Sequence, residues 1–522
     1  MQRSNSEGFS HAYAAAQETP EAFWLEEAKR LAWHTAPTQA RSLSPEGIAA
    51  WFPDGRLNTS WLCLDAHLVA GHGDRTALIY DSPVTGQKAH FSFAALTERV
   101  ARTAGSLRDL GVGVGDRVVI YMPMIPEALI AMLACARLGA IHSVVFGGFA
   151  GRELAVRIDD AQPKVLLTAS CGLEADRVIP YAPLVTEALA LAATPPAHCV
   201  VVQRPQAPMA LTAGRDRPWD AFEASGAPVD AVPLKATDPL YILYTSGTTG
   251  KPKGVVRDHG GHAVALAASM ARVYDTGPGE VFWAASDVGW VVGHSYICYA
   301  PLLVGATTIL YEGKPVRTPD AGAFWRVIAE HGVKTFFAAP TAFRALRKED
   351  PDAALRLKYD LSGFKRLMLA GERCDPPTLE WLQDRLRIPV VDHWWQTETG
   401  SPICALPAEP AWAAKVGSSG VPMPGYRLEV LNEAGEPVDP GQSGQLALAL
   451  PLPPGTLPTV WGDQKRFTEA YLARFPGYYD TGDGGYKDED GYVFVMGRTD
   501  DVINVAGHRL ATGELEEALA GH

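Results

Sequence analysis

One short stretch near the middle of the chain constrains the fold most, because it places glycine, hydroxyl groups and lysine between two ordered segments. Residues 244–254 (Tyr-Thr-Ser-Gly-Thr-Thr-Gly-Lys-Pro-Lys-Gly) follow a strand pattern at 240–244 and precede a helix pattern at 262–274. Glycines let backbone N–H groups approach an anion closely, and hydroxyl and ammonium groups add donors for a polyphosphate. The candidate phosphate ligands are Thr245, Ser246, Gly247, Thr248, Thr249, Gly250, Lys251 and Lys253.

Two other interpretations of this stretch are weaker. A flexible Ser/Thr/Gly linker is common, but a linker does not explain two lysines between a strand and a helix. The P-loop pattern GxxxxGK[ST] does not match either, since proline follows Lys251.

Strand and helix patterns alternate along two parts of the chain, residues 77–169 and 240–391. Such alternation predicts parallel sheets with helices on both faces. Short strands and turns between 425 and 495 predict a β-rich, barrel-like subdomain. We therefore predict an α/β fold with two doubly wound, mostly parallel sheets and a β-rich subdomain. Residues 203–233, rich in proline and alanine, are predicted to form an exposed loop.

The composition is typical of a large globular enzyme. The 522 residues are 47% hydrophobic and 20% charged, and they exceed what one compact core holds. With 46 basic and 59 acidic residues, the net charge of −13 argues against nucleic acid or a membrane surface as partner. The seven cysteines are dispersed and no apolar signal segment follows Met1, so we predict a cytoplasmic protein with reduced thiols.

A second stretch, residues 391–400 (Val-Asp-His-Trp-Trp-Gln-Thr-Glu-Thr-Gly), combines aromatic, amide and carboxylate groups. Together with 244–254, it resembles the motifs of the adenylate-forming superfamily, which includes acyl-CoA synthetases, peptide-synthetase adenylation domains and luciferases. Residues 121–149 are similar to the acetyl- and propionyl-CoA synthetase branch, and residues 497–510 are most similar to propionyl-CoA synthetases. The resemblance covers nearly the whole chain and implies an AMP-forming acid–thiol ligase that uses ATP, Mg²⁺ and coenzyme A.

The resemblance implies roles for single residues in nucleotide binding. Thr397 is expected to contact the α-phosphate, Glu398 to hold Mg²⁺, and Asp483 to accept hydrogen bonds from the ribose hydroxyls. Carboxylates suit both tasks, because Mg²⁺ prefers hard oxygen ligands and hydroxyls need acceptors; without this context, Asp480-Thr-Gly-Asp483 is typical of a turn. The other expected ATP or AMP contacts are Gly371, Glu372, Arg373, Asp392, His393, Trp394, Gln396 and Arg498. The implied catalytic set is Thr245, Lys251, Thr397, Glu398 and Arg509.

The resemblance also implies an acyl pocket formed by Val291, Val292, Ala370 and Trp395. A tryptophan in such a pocket excludes medium and long chains. Ala370 replaces the valine of many acetate enzymes, which leaves room for about one more methylene and about 1 kcal/mol of selectivity. We therefore expect propionate, with acetate, acrylate, 3-hydroxypropionate and butyrate as neighbours. His294 is either a pocket group or, more commonly for such residues, a structural histidine.

For coenzyme A, the resemblance assigns Arg177 to the 3′-phosphate and Ala506 with Gly507 to the pantetheine path. Glu174 stands where acetyl-CoA synthetases have a second arginine, and a solvated charge explains Arg177 equally well. Asp500 matches the hinge before a small C-terminal domain.

We predict an N-terminal extension (1–60), a large domain (61–497, β-rich from about 417) and a hinge with a C-terminal stub (498–522). The family continues beyond the hinge and carries its adenylation lysine there. The chain is therefore expected to be truncated, or the first module of a longer protein with further fused domains, and to turn over weakly.

Three rival functions stay open. The chain could be a 3-hydroxypropionate- or acetate-activating module of a larger enzyme, an adenylation domain that loads a carrier protein, or a non-catalytic nucleotide-binding protein. The 391–400 motif argues against the second, and the intact Glu398 and Asp483 argue against the third.

Overall fold

The computed structural model describes residues 8–245, 252–409 and 411–499, together with the backbone of residues 503–505 and 508–510. Two seven-stranded sheets dominate it. The strands of sheet A are, in spatial order, Asp216–Pro218, His198–Val202, Val165–Ala169, Arg117–Tyr121, Ile141–Val144, Pro239–Thr245 and Lys253–Asp258. Those of sheet B are Val390–Asp392, Arg366–Leu369, Val333–Ala338, Val281–Ala285, Thr307–Tyr311, Thr76–Ser82 and Gln87–Ser92.

Each sheet is parallel except for one edge strand. Lys253–Asp258 pairs antiparallel in sheet A, and Gln87–Ser92 does so in sheet B. All other neighbours are parallel. The predicted α/β class with two doubly wound, mostly parallel sheets is confirmed.

The helices between the strands follow ordinary start and stop signals. Pro126–Leu138 begins with proline at its first position and ends at Gly139, whose φ of 73° lies in the left-handed region that favours glycine. Every residue of this helix except Glu127 is buried, so it belongs to the core. In the part of the chain that the structure describes, no helix is both long and apolar enough to cross a membrane.

Further helices and short strand pairs complete the fold. The other α-helices are Phe9–Glu18, Pro20–Ala28, Thr59–Cys63, Asp65–Val69, Phe93–Asp109, Gly151–Ala161, Ala182–Leu191, Trp219–Ser225, Gly260–Arg272, Ala300–Leu303, Ala323–His331, Pro340–Glu349, Pro376–Leu386 and Gln464–Tyr471, with a π-helix at Gly293–Tyr299 and a 3₁₀-helix at Ala354–Lys358. The short paired strands are Arg41–Leu43, Ala49–Trp51, Arg56–Leu57, Cys171–Glu174, Arg177–Pro180, Leu234–Lys235, Cys404–Ala405, Val421–Pro422, Ile503–Val505 and His508–Leu510.

The predicted β-rich region is confirmed, but its described strands form an open, four-stranded antiparallel sheet and not a barrel. Its strands, in order, are Leu428–Leu431, Gly444–Ala449, Tyr478–Lys487 and Val493–Arg498. Residues 480–483 (Asp-Thr-Gly-Asp), whose composition alone is typical of a turn, lie within the third strand. Tyr479, Thr481 and Asp483 alternate with more exposed residues, so this segment buries every second side chain as a strand does.

The prediction of an exposed loop at 203–233 is wrong in part. Asp216–Pro218 forms the edge strand of sheet A, and the helix Trp219–Ser225 follows it. Trp219 and Phe222 lie three residues apart on one helix face and are both buried. Two aromatic anchors therefore fix a segment whose average composition is typical of a loop.

The N-terminal helices pack against the large domain. Glu27 forms an ion pair with Arg272 (2.7 Å), which lies on the helix Gly260–Arg272. The indole of Trp51 donates a hydrogen bond to the carbonyl of Leu452 (3.1 Å). These contacts attach the described part of the N-terminal segment, from residue 8 onward, to the helix Gly260–Arg272 and to the chain at Leu452.

Candidate active site

Two loops meet where parallel strands of sheet B end, which is where open α/β sheets bind ligands. One loop follows the strand Arg366–Leu369, and the other follows Val390–Asp392. The backbone N–H of His393 donates to the carbonyl of Leu369 (2.9 Å), and the N–H of Cys374 donates to the Asp392 carboxyl (3.3 Å). Burial raises the pKa of Asp392 to about 7.

His393 supports this junction through its side chain. Its Nδ1 lies 2.7 Å from the carbonyl of Leu369, and its Nε2 lies 2.9 Å from the hydroxyl of Tyr274. Burial lowers the pKa of His393 to about 3, so the ring is neutral and both nitrogens have protein partners. The ring therefore positions the 391–400 segment, and a nucleotide contact from this residue would have to come from its backbone.

Asp483 lies at the centre of the candidate nucleotide site, although it is distant in sequence from the 391–400 motif. Trp394 Nε1 (3.1 Å) and Gln396 Nε2 (2.6 Å) both donate to its Oδ2. Only 7% of the residue is exposed. Burial raises the pKa of Asp483 to about 6, although Arg498 and the two hydrogen bonds act in the opposite direction.

Arg498 faces Asp483 across two antiparallel strands, in direct register. Gly482 makes this approach possible: its φ is +68°, and a Cβ there would lie 3.0 Å from Arg498 Nη2. The structure thus brings together Trp394, Gln396, Asp483 and Arg498, all of which the sequence assigned to the nucleotide.

Glu398 lies two residues after Gln396, in a turn of the 391–400 segment, and is half-buried. Its Oε1 accepts a hydrogen bond from the hydroxyl of Tyr471 (2.6 Å). A carboxylate beside the phosphate-binding segment is a hard oxygen donor, and it fits a Mg²⁺ ion that is otherwise held by substrate phosphates and water. Glu398 would hold that ion.

A buried guanidinium, which sequence reasoning missed, fixes the backbone of this turn. Arg257 is fully buried and donates to the carbonyls of Thr397, Glu398 (2.9 Å) and Gly455. Gly400 has a φ of +68°, and a Cβ there would lie 2.8 Å from the Arg257 Cζ. The available signal was an arginine directly after two valines in the strand Lys253–Asp258.

The phosphate-binding stretch is described only at its two ends. Thr245 and Lys253 are paired in the antiparallel register that closes the stretch, and Thr245 Oγ1 is buried without a partner among the described residues. Lys253 Nζ lies 4.6 Å from the ring centroid of Tyr471. Six of the seven residues between them lie outside the described part of the chain: Ser246, Gly247, Thr248, Thr249, Gly250 and Lys251.

The loop after Leu369 holds the residues expected near adenine. Gly371 has a φ of +100°, in the region that favours glycine. The Glu372 carboxylate is already engaged, by an ion pair with Arg344 (2.7 Å) and a hydrogen bond from the backbone N–H of Thr341 (2.6 Å). Arg373 follows, half-buried. Gly371 is exposed, and nothing lies within 4 Å of where its Cβ would be, so a ligand can approach its backbone.

The four residues of the predicted acyl pocket all pack against the main core. Ala370 is buried, and Val291, Val292 and Trp395 are half-buried. The Trp395 ring stands edge-on to Tyr296, with centroids 5.3 Å apart. Tyr296 belongs to the π-helix Gly293–Tyr299, which begins directly after Val292; π-helical turns are frequent at functional sites.

His294, whose role the sequence left open, lies in the core, with one ring nitrogen hydrogen-bonded to the protein and Nε2 buried without a partner among the described residues. Its Nδ1 lies 2.9 Å from the carbonyl of Trp290, and its ring packs 4.5 Å from that of Tyr241. The residue is fully buried, and burial lowers its pKa to about 4.

Of the three residues predicted to bind coenzyme A, the structure describes only Arg177. Arg177 is exposed on a hairpin, opposite Glu174, and Glu174 pairs with Lys314 (3.0 Å). Asp500, Ala506 and Gly507 lie outside the described residues, as does the side chain of Arg509.

Comparison with known proteins identifies the family. The family described as "AMP-binding enzyme" matches residues 66–452, and "Acetyl-coenzyme A synthetase N-terminus" matches residues 9–63. Human acyl-CoA synthetase short-chain family member 3, mitochondrial, is 51% identical over 99% of this chain and 76% of its own length. Propionate–CoA ligase of Escherichia coli is 48% identical over 98% of this chain and 82% of its own length.

A solved structure shares the fold. Acetoacetyl-CoA synthetase from Streptomyces lividans is 26% identical, with a TM-score of 0.89, over 99% of this chain and 78% of that chain. These relatives match almost all of this chain, so the matches give no support to further fused domains. They are themselves longer than the region that they share with it.

Proposed function

Because the chain belongs to the AMP-binding enzyme family, in its short-chain acyl-CoA synthetase branch, we propose that it activates propionate. In the first step a propionate oxygen attacks the α-phosphorus of ATP, which forms propionyl-AMP and releases pyrophosphate. In the second step the thiol of coenzyme A attacks the acyl carbonyl, which forms the thioester, and AMP leaves. Charge stabilisation and positioning supply most of the catalysis in such a reaction.

The arrangement of the turn 396–398 supports this proposal more than any other observation. Gln396 contacts Asp483, the proposed ribose acceptor, while Glu398 two residues later contacts Tyr471 beside Lys253. One rigid turn can therefore hold the sugar on one side and the phosphates on the other. Mg²⁺ on Glu398 would offset the charge of the phosphates, and Lys253 would bind the departing pyrophosphate.

The acyl group is proposed to lie against Trp395, Ala370, Val291 and Val292. Their side chains are apolar, and the bulk of Trp395 sets the length of the acid. The similarity to the E. coli protein named propionate–CoA ligase also supports propionate as the proposed substrate. The hydroxyl of an acid such as 3-hydroxypropionate would need a hydrogen-bond partner. Among these four side chains only the Trp395 indole could donate a hydrogen bond.

The other sequence-based expectations become proposals in the same way. We keep Arg177, Ala506 and Gly507 as coenzyme A contacts, Asp500 as the hinge, Lys251 and Arg509 as catalytic groups and the cytoplasm as the location. We also keep weak turnover as a proposal for the 522-residue chain, which a kcat of about 10 s⁻¹, the median for enzymes, would refute.

Pyrophosphate release by the protein, measured with ATP and straight-chain acids from C2 to C5, tests the substrate. We expect the highest kcat/KM with propionate. A maximum at C2 or C5 would overturn the choice of substrate, and no acid-dependent release would favour a non-catalytic nucleotide-binding protein. If the acyl group passed to a carrier protein and not to coenzyme A, the chain would be a carrier-loading domain.

A further inference from the structure

Tyr471 contacts both halves of the proposed phosphate site. It ends the helix Gln464–Tyr471 and is only 5% exposed. Its hydroxyl donates to Glu398 Oε1 at 2.6 Å, and within the described residues no other side chain donates to that carboxylate. Its ring lies 4.6 Å from the ammonium of Lys253, a distance at which a cation is attracted to an aromatic ring. One side chain therefore touches the proposed Mg²⁺ ligand and a proposed phosphate lysine.

The same ring is held in place by a second tyrosine. Tyr479 stacks on Tyr471 with centroids 5.3 Å apart and an interplanar angle of 12°. The Tyr479 hydroxyl donates to Gln396 Oε1 (3.2 Å), and Gln396 in turn donates to Asp483. A continuous set of contacts thus joins the phosphate side to the ribose side, and the rigid stack limits rotation of the Tyr471 ring.

We propose that Tyr471 is a positioning residue that orients the Glu398 carboxylate for Mg²⁺ and keeps Lys253 beside it; this inference rests on the proposed function. A carboxylate that is the lone protein ligand of an ion can rotate about its last bond. The hydrogen bond to Oε1 fixes that rotation and directs Oε2 away from the phenol. Partners of this kind typically change metal affinity by 10- to 100-fold when they are removed.

The change Tyr471→Phe tests this inference, because it keeps the ring, the stack and the lysine contact and removes only the hydroxyl. Glu398 is half-buried, so water can replace the lost donor and the variant is expected to fold. Isothermal titration of ATP at a series of Mg²⁺ concentrations gives the Mg²⁺ concentration for half-maximal binding. We expect this value to rise by 10- to 100-fold, while the affinity for AMP without Mg²⁺ changes less than twofold.

Tyr492→Phe is the matched control. The Tyr492 hydroxyl also donates one hydrogen bond, to the carbonyl of Ala413 (2.7 Å), and a lysine, Lys415, lies 4.4 Å from its ring. This variant loses an equivalent contact in the same region without touching Glu398, so its Mg²⁺ dependence should equal that of the wild type. A second variant, Glu398→Gln, completes a double-mutant cycle in which adding Tyr471→Phe should change the Mg²⁺ dependence no further.

Three results would overturn the inference. The Mg²⁺ requirement of Tyr471→Phe could equal that of the wild type, AMP binding could fall as much as Mg²⁺-dependent ATP binding, or the two changes in the cycle could be additive. Because no acid is present in the titration, these outcomes differ from failure of the proposed function, which would appear as wild-type protein without acid-dependent pyrophosphate release.

Discussion

Replacement of Asp483 by asparagine is expected to stabilise the fold while it weakens nucleotide binding. The asparagine oxygen can accept the same hydrogen bonds from Trp394 and Gln396 that Oδ2 accepts now. The amide is neutral, so the cost of keeping a charge in a site that is 7% exposed disappears. The site loses the acceptor that we propose for the ribose, because one of its two oxygens becomes an N–H₂ donor.

The size of the effect follows from the pKa. Burial raises the pKa of Asp483 from 3.8 to about 6, which at about 1.4 kcal/mol per pKa unit corresponds to roughly 3 kcal/mol. An acid whose pKa is higher in the folded state stabilises the fold below its unfolded pKa, and this contribution is lost as the pH rises through 6. Above pH 7 the asparagine variant should therefore be more stable by about 1 to 3 kcal/mol, and the difference should shrink towards pH 4.

Denaturant unfolding at pH 8 and pH 5 measures the change, and ATP titration measures binding. Asp488→Asn is the control of opposite sign. Burial acts to raise the pKa of Asp488, but the hydrogen bond (2.5 Å) and charge of Lys415, together with hydrogen bonds from the backbone N–H groups of Asp490 and Tyr492, lower the pKa overall. This control should be less stable than the wild type at pH 8. A loss of stability in Asp483→Asn at pH 8, or unchanged ATP affinity, would refute the reasoning.

Three further changes test other parts of the site. Glu398→Gln removes the charge that Mg²⁺ needs, and ATP titration with and without Mg²⁺ should show a loss of affinity for the ion on the order of 100-fold; an unchanged Mg²⁺ effect would exclude Glu398 as the ligand. Trp395→Gly opens the acyl pocket, so kcat/KM for pyrophosphate release should rise about fourfold for each methylene added beyond propionate, and an unchanged chain-length preference would show that Trp395 does not size the acid. Arg257→Met leaves three backbone carbonyls without their donor, which should lower the free energy of unfolding by about 3 kcal/mol; denaturant midpoints equal to those of the wild type would contradict the role given to this guanidinium.

The large-scale fold could be predicted because its signals are local. The strand Thr307–Tyr311 and the helix Pro126–Leu138 fall inside the two ranges of predicted alternation, and such alternation favours parallel sheets. The prediction of a loop from average composition fails where two buried aromatic residues stabilise a helix. Trp219 and Phe222 anchor a helix inside a segment rich in proline and alanine, and a composition argument gives them too little weight.

The site was predictable only where one short motif contains it. The segment 391–400 contains Trp394, Gln396 and Glu398, so one motif predicted all three. Asp483 was predicted only because the chain resembles a known family. Arg257 and Tyr471 could not be inferred in this way. Arg257 and Tyr471 contact Glu398 from 141 and 73 residues away in sequence. No hydrophobic periodicity near either residue predicts such a distant contact.

The central claim is that the carboxylate of the acid attacks the α-phosphorus of ATP, and oxygen labelling tests it most directly. The protein is incubated with ATP, Mg²⁺, coenzyme A and propionate labelled with ¹⁸O in its carboxyl group, and the nucleotide product is analysed by mass spectrometry. The account predicts AMP that carries one ¹⁸O atom and pyrophosphate that carries none. Unlabelled AMP, or ADP together with labelled phosphate, would contradict it.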